Sequence, residues 1–246
     1  MANKKIGVLG CGEVGKAIAS FYQDPFIHDP AQGHEFPAEV QFDILHVCIP
    51  HRKRAEFEIA VKFAIDRHAK GALVIIHSTV PVGTTLELRP HHRFIVHSPV
   101  RGVHPHLAEG IRTFPKFIGA DDAGAGRLAA EHFEEMGIEP FVCHQSKTTE
   151  LMKLLDTTYY GLAIAYHAYA AKICDAVGVN FDAVMTEANR SYNEGYAKLG
   201  KQNVIRPVLY PPEGPIGGHC VLPNAEILRG QFGDDAILES IIRHNH

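Results

Sequence analysis

The stretch "KIGVLGCGEVGKAIASFY", Lys5 to Tyr22, limits the fold more than any other part of the chain. A short apolar run, Ile6 to Leu9, leads into glycines at 10, 12 and 15, and then into a helical pattern with Ala17, Ile18 and Phe21 apolar. The order is strand, tight turn, helix. Each glycine of this G-x-G-x-x-G answers a different demand. Gly10 permits the turn, Gly12 lets the backbone approach a pyrophosphate, and Gly15 lets helix and strand pack closely. The helix start, with Glu13 and Val14 in its first turn, presents free amides and a positive dipole end to phosphate.

An acid stands where such a fingerprint needs one. Asp29 closes the short apolar run "PFIHDP" and would accept hydrogen bonds from an adenine ribose 2′-OH while repelling a 2′-phosphate, which favours NAD over NADP. Only thirteen residues separate Gly15 from Asp29, so the first helix or the turn after it is abbreviated. The same glycines would also suit a related fold that has lost its cofactor, or one that holds S-adenosylmethionine.

The alternation continues. "FDILHVCIP" reads as a buried strand from Ile44 to Ile49 closed by Pro50, and "RAEFEIAVKFAIDRHAKG" as a helix with Phe57, Val61, Ala64 and Ile65 on one face and Gly71 at its C-cap. "ALVIIHSTVPVGTT", "RFIVHSP", "KFIGA" and "EPFVCH" supply further strands, and "AGAGRLAAEHFEEMG" a helix. Strands apolar on both faces and alternating with helices indicate a doubly wound parallel sheet, a Rossmann domain over residues 1–144. Its ligands belong at the C-terminal ends of the strands, where Ile49, Pro50, Ser78 and Thr79 lie.

From residue 145 to 246 the pattern is helical. "SKTTELMKLLDTTYYGLAIAYHAYAAKICDAVG" has no proline, Ser146 is placed to cap it, Glu150 sits in the first turn and Gly178 ends it. A helix of some 30 residues is roughly 45 Å long, more than one small core needs. Its apolar Leu151, Leu154, Leu155, Leu162 and Ala165 point to a homodimer built around the 146–178 helix. A second helix is expected from Asn180 to Gly200, then a Pro/Gly-rich loop from Val204 to Pro223, and a short helix in "DDAILESIIRHNH".

Composition excludes several functions. A formal charge of −4, with no basic run beyond "HRKR" at 51–54, leaves no footprint for nucleic acid or an anionic membrane. No apolar stretch reaches the roughly 18 residues of a membrane span, and "MANKKIGVLG" has no signal-peptide apolar core, so the protein reads as cytoplasmic. Five cysteines without C-x-x-C spacing fit free thiols rather than a disulfide framework or a zinc site. Among seventeen histidines, "HSPVRGVHPH" brings His97, His104 and His106 together as if for a metal, but no acidic partner pattern completes a site, and no metal is expected.

In "GPIGGHCVLPN", Cys220 follows the glycines at 217 and 218 that open the backbone to a substrate, and "PNAEILR" can start a helix whose dipole would favour a thiolate. A thiolate can add to an aldehyde to give a thiohemiacetal, which hydride loss converts to a hydrolysable thioester.

Taken in order, "GVLGCGEVGKAIA", "HVCIP", "HSTVPVGTT", "LAEG", "ELMKLLDTTYYGLAIAYHAYAAKICDAVGVNFDAV" and "PPEGPIGGHCVLPN" make the chain resemble the UDP-glucose/GDP-mannose 6-dehydrogenase family over nearly its whole length. The resemblance implies a two-step, NAD-dependent oxidation of a sugar primary alcohol to the acid, with Cys220 as covalent nucleophile. It also implies that Lys153 stabilises oxyanion charge, that Thr79 helps to hold the hydrolytic water, and that Glu109 assists water or general-base chemistry. The chain departs from the family pattern at Val100, where a glutamate is usual, at Thr157 and near His167 or Ala168, where asparagines are usual, and at Asn224, where an acid is usual. Family members continue into a third domain that grips the nucleotide of the substrate, so a sequence ending at His246 reads as a short member without it. Two other readings remain open: a two-electron hydroxyacid-type dehydrogenase using Lys153, and a non-catalytic or transferase protein carrying another nucleotide ligand such as S-adenosylmethionine.

Overall fold

The structure, a computed structural model, describes residues 4–102, 105–216 and 220–243. The chain forms two compact units, Met1–Lys153 and Leu154–His246.

The first unit is a doubly wound α/β domain. Its strands are β1 (Ile6–Leu9), β2 (Phe26–His28), β3 (Ile44–Val47), β4 (Leu73–Ile76), β5 (Ile95–His97), β6 (Lys116–Gly119) and β7 (Pro140–Cys143), ordered β2-β1-β3-β4-β5-β6-β7 across one sheet. The helices α1 (Glu13–Ala19), α2 (Arg54–His68), α3 (Thr84–Leu88), α4 (Leu107–Thr113) and α5 (Ala123–Glu135) connect them. Every pairing is parallel except β5 with β6, which meet antiparallel through His97 and Gly119. The expected doubly wound parallel sheet is thus present, with one antiparallel step at that junction.

The sequence builds two cores because alternate strand residues face opposite ways. Ile6, Val8, Ile44, Ile75 and Ile118 pack with Ile18 of α1, Ile111 of α4, and Ala129 and Phe133 of α5. Leu45, Val47, Val74, Ile76 and Ile95 pack with Phe57, Val61 and Ile65 of α2 and Leu88 of α3. The order turns at β1 and β3, from which the chain winds outward in both directions, so the crevice beyond their C-terminal ends is where such a sheet takes a ligand. α1 has only 7 residues, in keeping with the short spacing from Gly15 to Asp29. α2 stops at His68 with Ala69 as C-cap, so Gly71, at φ +79°, turns the chain two residues beyond the cap rather than forming it.

α6 (Ser146–Val177) starts in the first unit and continues into the second. Its start is anchored in the first unit by Asp121, which accepts hydrogen bonds from the Ser146 amide (3.3 Å) and hydroxyl (2.5 Å). Ser146 is therefore held by a carboxylate from outside the helix. The fit is flush: a Cβ on Gly119 would stand 2.3 Å from Thr149 Oγ1 and 2.8 Å from Ser146 Cα.

In the second unit a π-helical stretch, Asp182–Glu187, runs into α7 (Ala188–Lys198), where a plain α-helix from Asn180 to Gly200 was expected. α8 (Val221–Phe232) begins inside the segment read as loop, and α9 (Ala236–Ile242) follows. Asp235 caps α9, its side chain accepting from the Ile237 amide. Ala165 of α6, Val221, Ala225, Ile241 and Ile242 make this unit's own core. At Gly161 a Cβ would fall 2.4 Å from Val221 Cγ1, so α6 and α8 touch closely there. Leu154 and Ala165, read as part of an unpartnered face, are buried; Leu155, Tyr159, Tyr160, Tyr166, Tyr169, Ile173 and Val177 are the exposed large apolar residues of α6.

Candidate functional site

The three glycines of the first turn have separate structural reasons. Gly10 has φ +96° and sits against β3, where a Cβ would come within 2.9 Å of the Cys48 carbonyl and the Ile49 nitrogen. Gly15 lies under the turn, where a Cβ would stand 1.9 Å from the Gly10 carbonyl oxygen. Gly12, the N-cap of α1, would meet nothing within 4 Å. Two glycines are thus demanded by the fold, and the third leaves open space beside the backbone.

Asp29 stands one residue past β2 and is tied to the same turn. Its Oδ2 accepts the Cys11 amide at 2.8 Å and the Gln32 side-chain amide at 3.0 Å, and Gln32 Nε2 also donates to the Cys11 carbonyl at 2.9 Å. The Cys11 amide bond is the main reason that the Asp29 carboxyl is held below the usual carboxylate range. The chain then turns through a short 3₁₀ helix, Pro30–Gln32, to Gly33 at φ +78°.

At the ends of β3 and β4, Ser78 Oγ donates to the Ile49 carbonyl at 2.6 Å, which fixes the Ile49–Pro50 exit, and Thr79 follows, half-buried. Gly10, Gly12, Gly15, Asp29, Ile49 and Ser78 are therefore gathered around the ends of β1, β3 and β4. Glu109 lies in the first turn of α4, exposed and paired with His106 at 3.4 Å. Lys153, half-buried, donates to the Val100 carbonyl at 3.0 Å. A main-chain oxygen thus serves at a position where the side chain, Val100, is 5% exposed core. Glu150, expected to favour its own helix start, is buried and instead accepts the Gly83 and Thr85 amides at 2.6 and 2.8 Å, capping α3; burial pushes its carboxyl up.

Cys220 belongs to the second unit, where it is the N-cap of α8, half-buried and a free thiol. One turn later Asn224 is 3% exposed, and its Nδ2 has no hydrogen-bond partner among the described residues. The glycines at 217 and 218 lie outside the described residues.

A buried polar chain crosses the α1/α5 face of the sheet, and sequence reading missed it. Tyr22 Oη lies 2.8 Å from His132 Nε2 and 2.8 Å from His46 Nε2, His46 Nδ1 lies 2.9 Å from His77 Nε2, and His77 Nδ1 lies 2.7 Å from the Ser98 carbonyl. The carbonyl fixes the proton order for neutral rings. His77 Nδ1–H donates to it, His46 Nδ1–H donates to His77, Tyr22 O–H donates to His46, and His132 Nε2–H donates to Tyr22. This leaves His132 Nδ1 bare, and that atom is buried with no partner among the described residues. Desolvation holds His46 and His77 well below the usual histidine range, His97 at about 3 and His132 at about 4, and burial pushes Tyr22 up. The signal was present: "ILHV", "IIHS" and "IVHS" repeat a histidine at the end of three neighbouring apolar strands.

His97 bonds Thr149 Oγ1 and the Ser78 carbonyl at 2.8 and 3.1 Å in the core, whereas His106 is exposed. They do not share a metal site, and His104 lies outside the described residues. Among the described residues no group of three or more His, Cys, Asp or Glu could hold a metal ion, and no helix is long and apolar enough to cross a membrane.

No protein-family model matches the chain. It is 28% identical over 157 residues to the UDP-N-acetyl-D-mannosamine dehydrogenase of Methanocaldococcus jannaschii, a match that covers 61% of this chain and 34% of that protein. Among solved structures, a UDP-D-ManNAc dehydrogenase from Pyrococcus horikoshii superposes with a TM-score of 0.76 at 19% identity, covering 98% of this chain and 68% of that one. The 3-hydroxyisobutyrate dehydrogenase of Mycobacterium tuberculosis gives a TM-score of 0.69 at 15% identity, covering 98% of this chain and 91% of that one. The match spans about a third of the length of the curated relatives. The chain is a relative of proteins named as nucleotide-sugar dehydrogenases, and the resemblance read from its motifs holds, with a doubly wound Rossmann-type domain followed by a helical part.

Proposed function

We propose that the chain carries the NAD-binding and catalytic parts of an oxidoreductase that oxidises a primary alcohol or aldehyde of a sugar derivative, with Cys220 as covalent nucleophile. The observation that carries the reading is the turn at the β1/β3 switch point. Gly12 alone of its glycines has open space, and Asp29 is held by the Cys11 amide of the same turn. Those residues fit a dinucleotide: backbone open to a pyrophosphate, and a carboxylate held ionised for a ribose diol. NAD, when bound, supplies the hydride acceptor.

The chain's residues do the remaining work. Lys153, already bonded to a carbonyl, would donate to the substrate oxygen as charge builds on it. The Cys220 thiolate, at the start of the 12-residue α8, would add to the aldehyde carbonyl to give a thiohemiacetal oxyanion. The buried Asn224 amide, without a partner among the described residues, is suited to donate to that oxyanion. Loss of a second hydride leaves a thioester, and water, held by Thr79 and activated by Glu109, releases the acid and restores the thiol. The reaction closes as alcohol, water and two NAD⁺ giving acid, two NADH and two protons.

Incubation with a UDP-linked N-acetylhexosamine and NAD tests this, with NADH and acid measured. Cys220→Ser is expected to cut acid formation by about a thousandfold or more while NAD still binds; unchanged turnover removes the thioester route. A second reading, a two-electron hydroxyacid-type dehydrogenase using Lys153, has the support of the likeness to the M. tuberculosis protein, whose chain is covered over 91% of its length. It requires one NADH per substrate and an indifferent Cys220. Binding of S-adenosylmethionine but not NAD, seen as a raised melting temperature, overturns both.

Cofactor choice gives a separate check. Asp29→Ser removes the carboxylate that would bond the ribose diol, and NAD affinity is expected to fall by roughly tenfold with NADP now accepted. Equal NAD binding in the variant would show that Asp29 does not hold the ribose.

We also read the protein as a cytoplasmic homodimer joined through α6. Five free thiols support a reducing compartment. Leu155, Tyr159, Leu162, Tyr166, Tyr169 and Ile173 recur at alternating four- and three-residue steps, all exposed except the half-buried Leu162, which is the spacing of a helix seam awaiting a second copy.

A further inference from the structure

Lys116 is 3% exposed, at the start of β6, between β5 and the edge strand β7. A lysine there needs a reason, because an isolated buried ammonium is among the most expensive groups to desolvate. Its Nζ donates to two consecutive main-chain oxygens, Ser98 O at 2.8 Å and Pro99 O at 2.7 Å, and lies 3.5 Å from His77 Nδ1. The next carbonyl along the chain, Val100 O, is the one that receives Lys153 Nζ at 3.0 Å. Two lysines therefore hold three consecutive oxygens of the segment that leaves β5.

Resting on the reading of Lys153 as a group that acts on the substrate, we propose that Lys116 is a positioning residue: by holding the Ser98 and Pro99 carbonyls it fixes the Val100 carbonyl, and with it the place of the Lys153 amine.

Three observations support this. The antiparallel β5–β6 junction is what brings Lys116 beneath the exit of β5, and Ser98 Oγ donates back to the Phe117 carbonyl at 2.8 Å. The segment is held beyond Lys116 as well: the Arg101 guanidinium lies over the Phe114 and Phe117 rings at 5.1 and 5.6 Å, and His97 bonds Thr149 on the same helix as Lys153. Hydrogen counting also suits a neutral amine at Lys116. Two N–H groups meet two carbonyls, and a lone pair could accept from His77 Nδ1–H at 3.5 Å; the third proton of an ammonium would have the Phe133 ring, 5.6 Å away, in place of an oxygen. Burial, the largest influence, pushes the Lys116 amine down to about 7. No charge therefore needs to stand in the core for the two carbonyls to be held.

The test uses Lys116→Met, which keeps the chain's bulk and loses the donors, and Lys116→Gln, which keeps a two-hydrogen donor. Melting curves first establish that each variant is folded. In NAD reduction, Lys116→Met is expected to lower kcat by about 10- to 100-fold with KM for NAD unchanged, as a displaced catalytic group does, and Lys116→Gln to recover most of the loss. A Met variant with wild-type kcat, or a Gln variant as slow as Met, overturns the proposal. The second measurement needs no turnover. Acetylation of Lys153 by acetic anhydride, followed peptide by peptide on the full chain, is expected to speed up severalfold in Lys116→Met and little in Lys116→Gln. An unchanged Lys153 rate in both overturns the proposal even where activity falls. If Lys153→Ala keeps full activity, the functional reading of Lys153 fails, and the acetylation rates still decide whether Lys116 positions it.

Discussion

Gly15→Ala is expected to destabilise the first unit by about 3 kcal/mol or more and to abolish dinucleotide binding, whereas Gly12→Ala leaves stability almost unchanged. The added methyl at Gly15 would stand 1.9 Å from the Gly10 oxygen and 2.8 Å from the Gly10 carbonyl carbon. Both atoms are backbone in a turn that is itself pressed against Cys48 and Ile49, so neither can rotate away. Relief requires α1 to lift from β1, which opens the packing of Ala17 and Ile18 against Val8 and Ile44. At Gly12 the methyl meets nothing within 4 Å and φ is −69°, an ordinary value for alanine. It would still occupy the space through which a pyrophosphate approaches, so Gly12→Ala should weaken NAD binding in a fully stable protein. Urea midpoints with titrations of NAD check the pair. Equal destabilisation by the two alanines, or a silent Gly15→Ala, would refute the assignment of one glycine to the fold and the other to the ligand.

The second large effect is acid lability well above the carboxylate range. His97 and His132 are held at about 3 and about 4 by burial, against 6.5 when exposed. Because the folded values are lowered, the unfolded chain binds more protons as pH falls below 6.5, and stability drops in that window rather than below pH 4. Each ring is expected to remove about 2 kcal/mol between pH 7.5 and pH 5, and His46 and His77 act in the same direction. Glu150, raised by burial, opposes this, since its folded form takes up a proton more readily than the unfolded chain. Urea unfolding at pH 7.5 and pH 5 reads the net change. His132→Leu, at the end of the buried polar chain and with its bare Nδ1 unpartnered among the described residues, should flatten the slope by roughly its own share. A stability independent of pH across that interval would show that the rings are not held neutral.

How much of this was legible beforehand depended on distance along the chain. "LGCGEVG" named its strand, turn and helix because the positive φ of Gly10 and the clash of a Gly15 methyl with Gly10 are local, although Gly10 also lies against Cys48 and Ile49 from far along the chain. The long helix, and the presence of a helical part after an α/β part, were readable from periodicity for the same reason. The antiparallel β5–β6 step was not, since a strand's residues are the same whichever way its neighbour runs. Glu150 was read as serving its own helix, but its carboxylate caps α3, which lies 65 and 67 residues earlier in sequence.

By itself the sequence determined the local grammar of this protein: where glycine must be, which runs are apolar on both faces, and which residue types could carry an oxidation. Only the tertiary structure decided which polar groups share the interior. His46, His77 and His132 lie on separate elements, and a histidine's cost or use in a core depends on whether a donor or acceptor from another element reaches it. The same holds for Lys116. Nothing near it in sequence distinguishes it from a surface lysine, and its meaning comes from the Ser98 and Pro99 oxygens that folding brings to within hydrogen-bond reach.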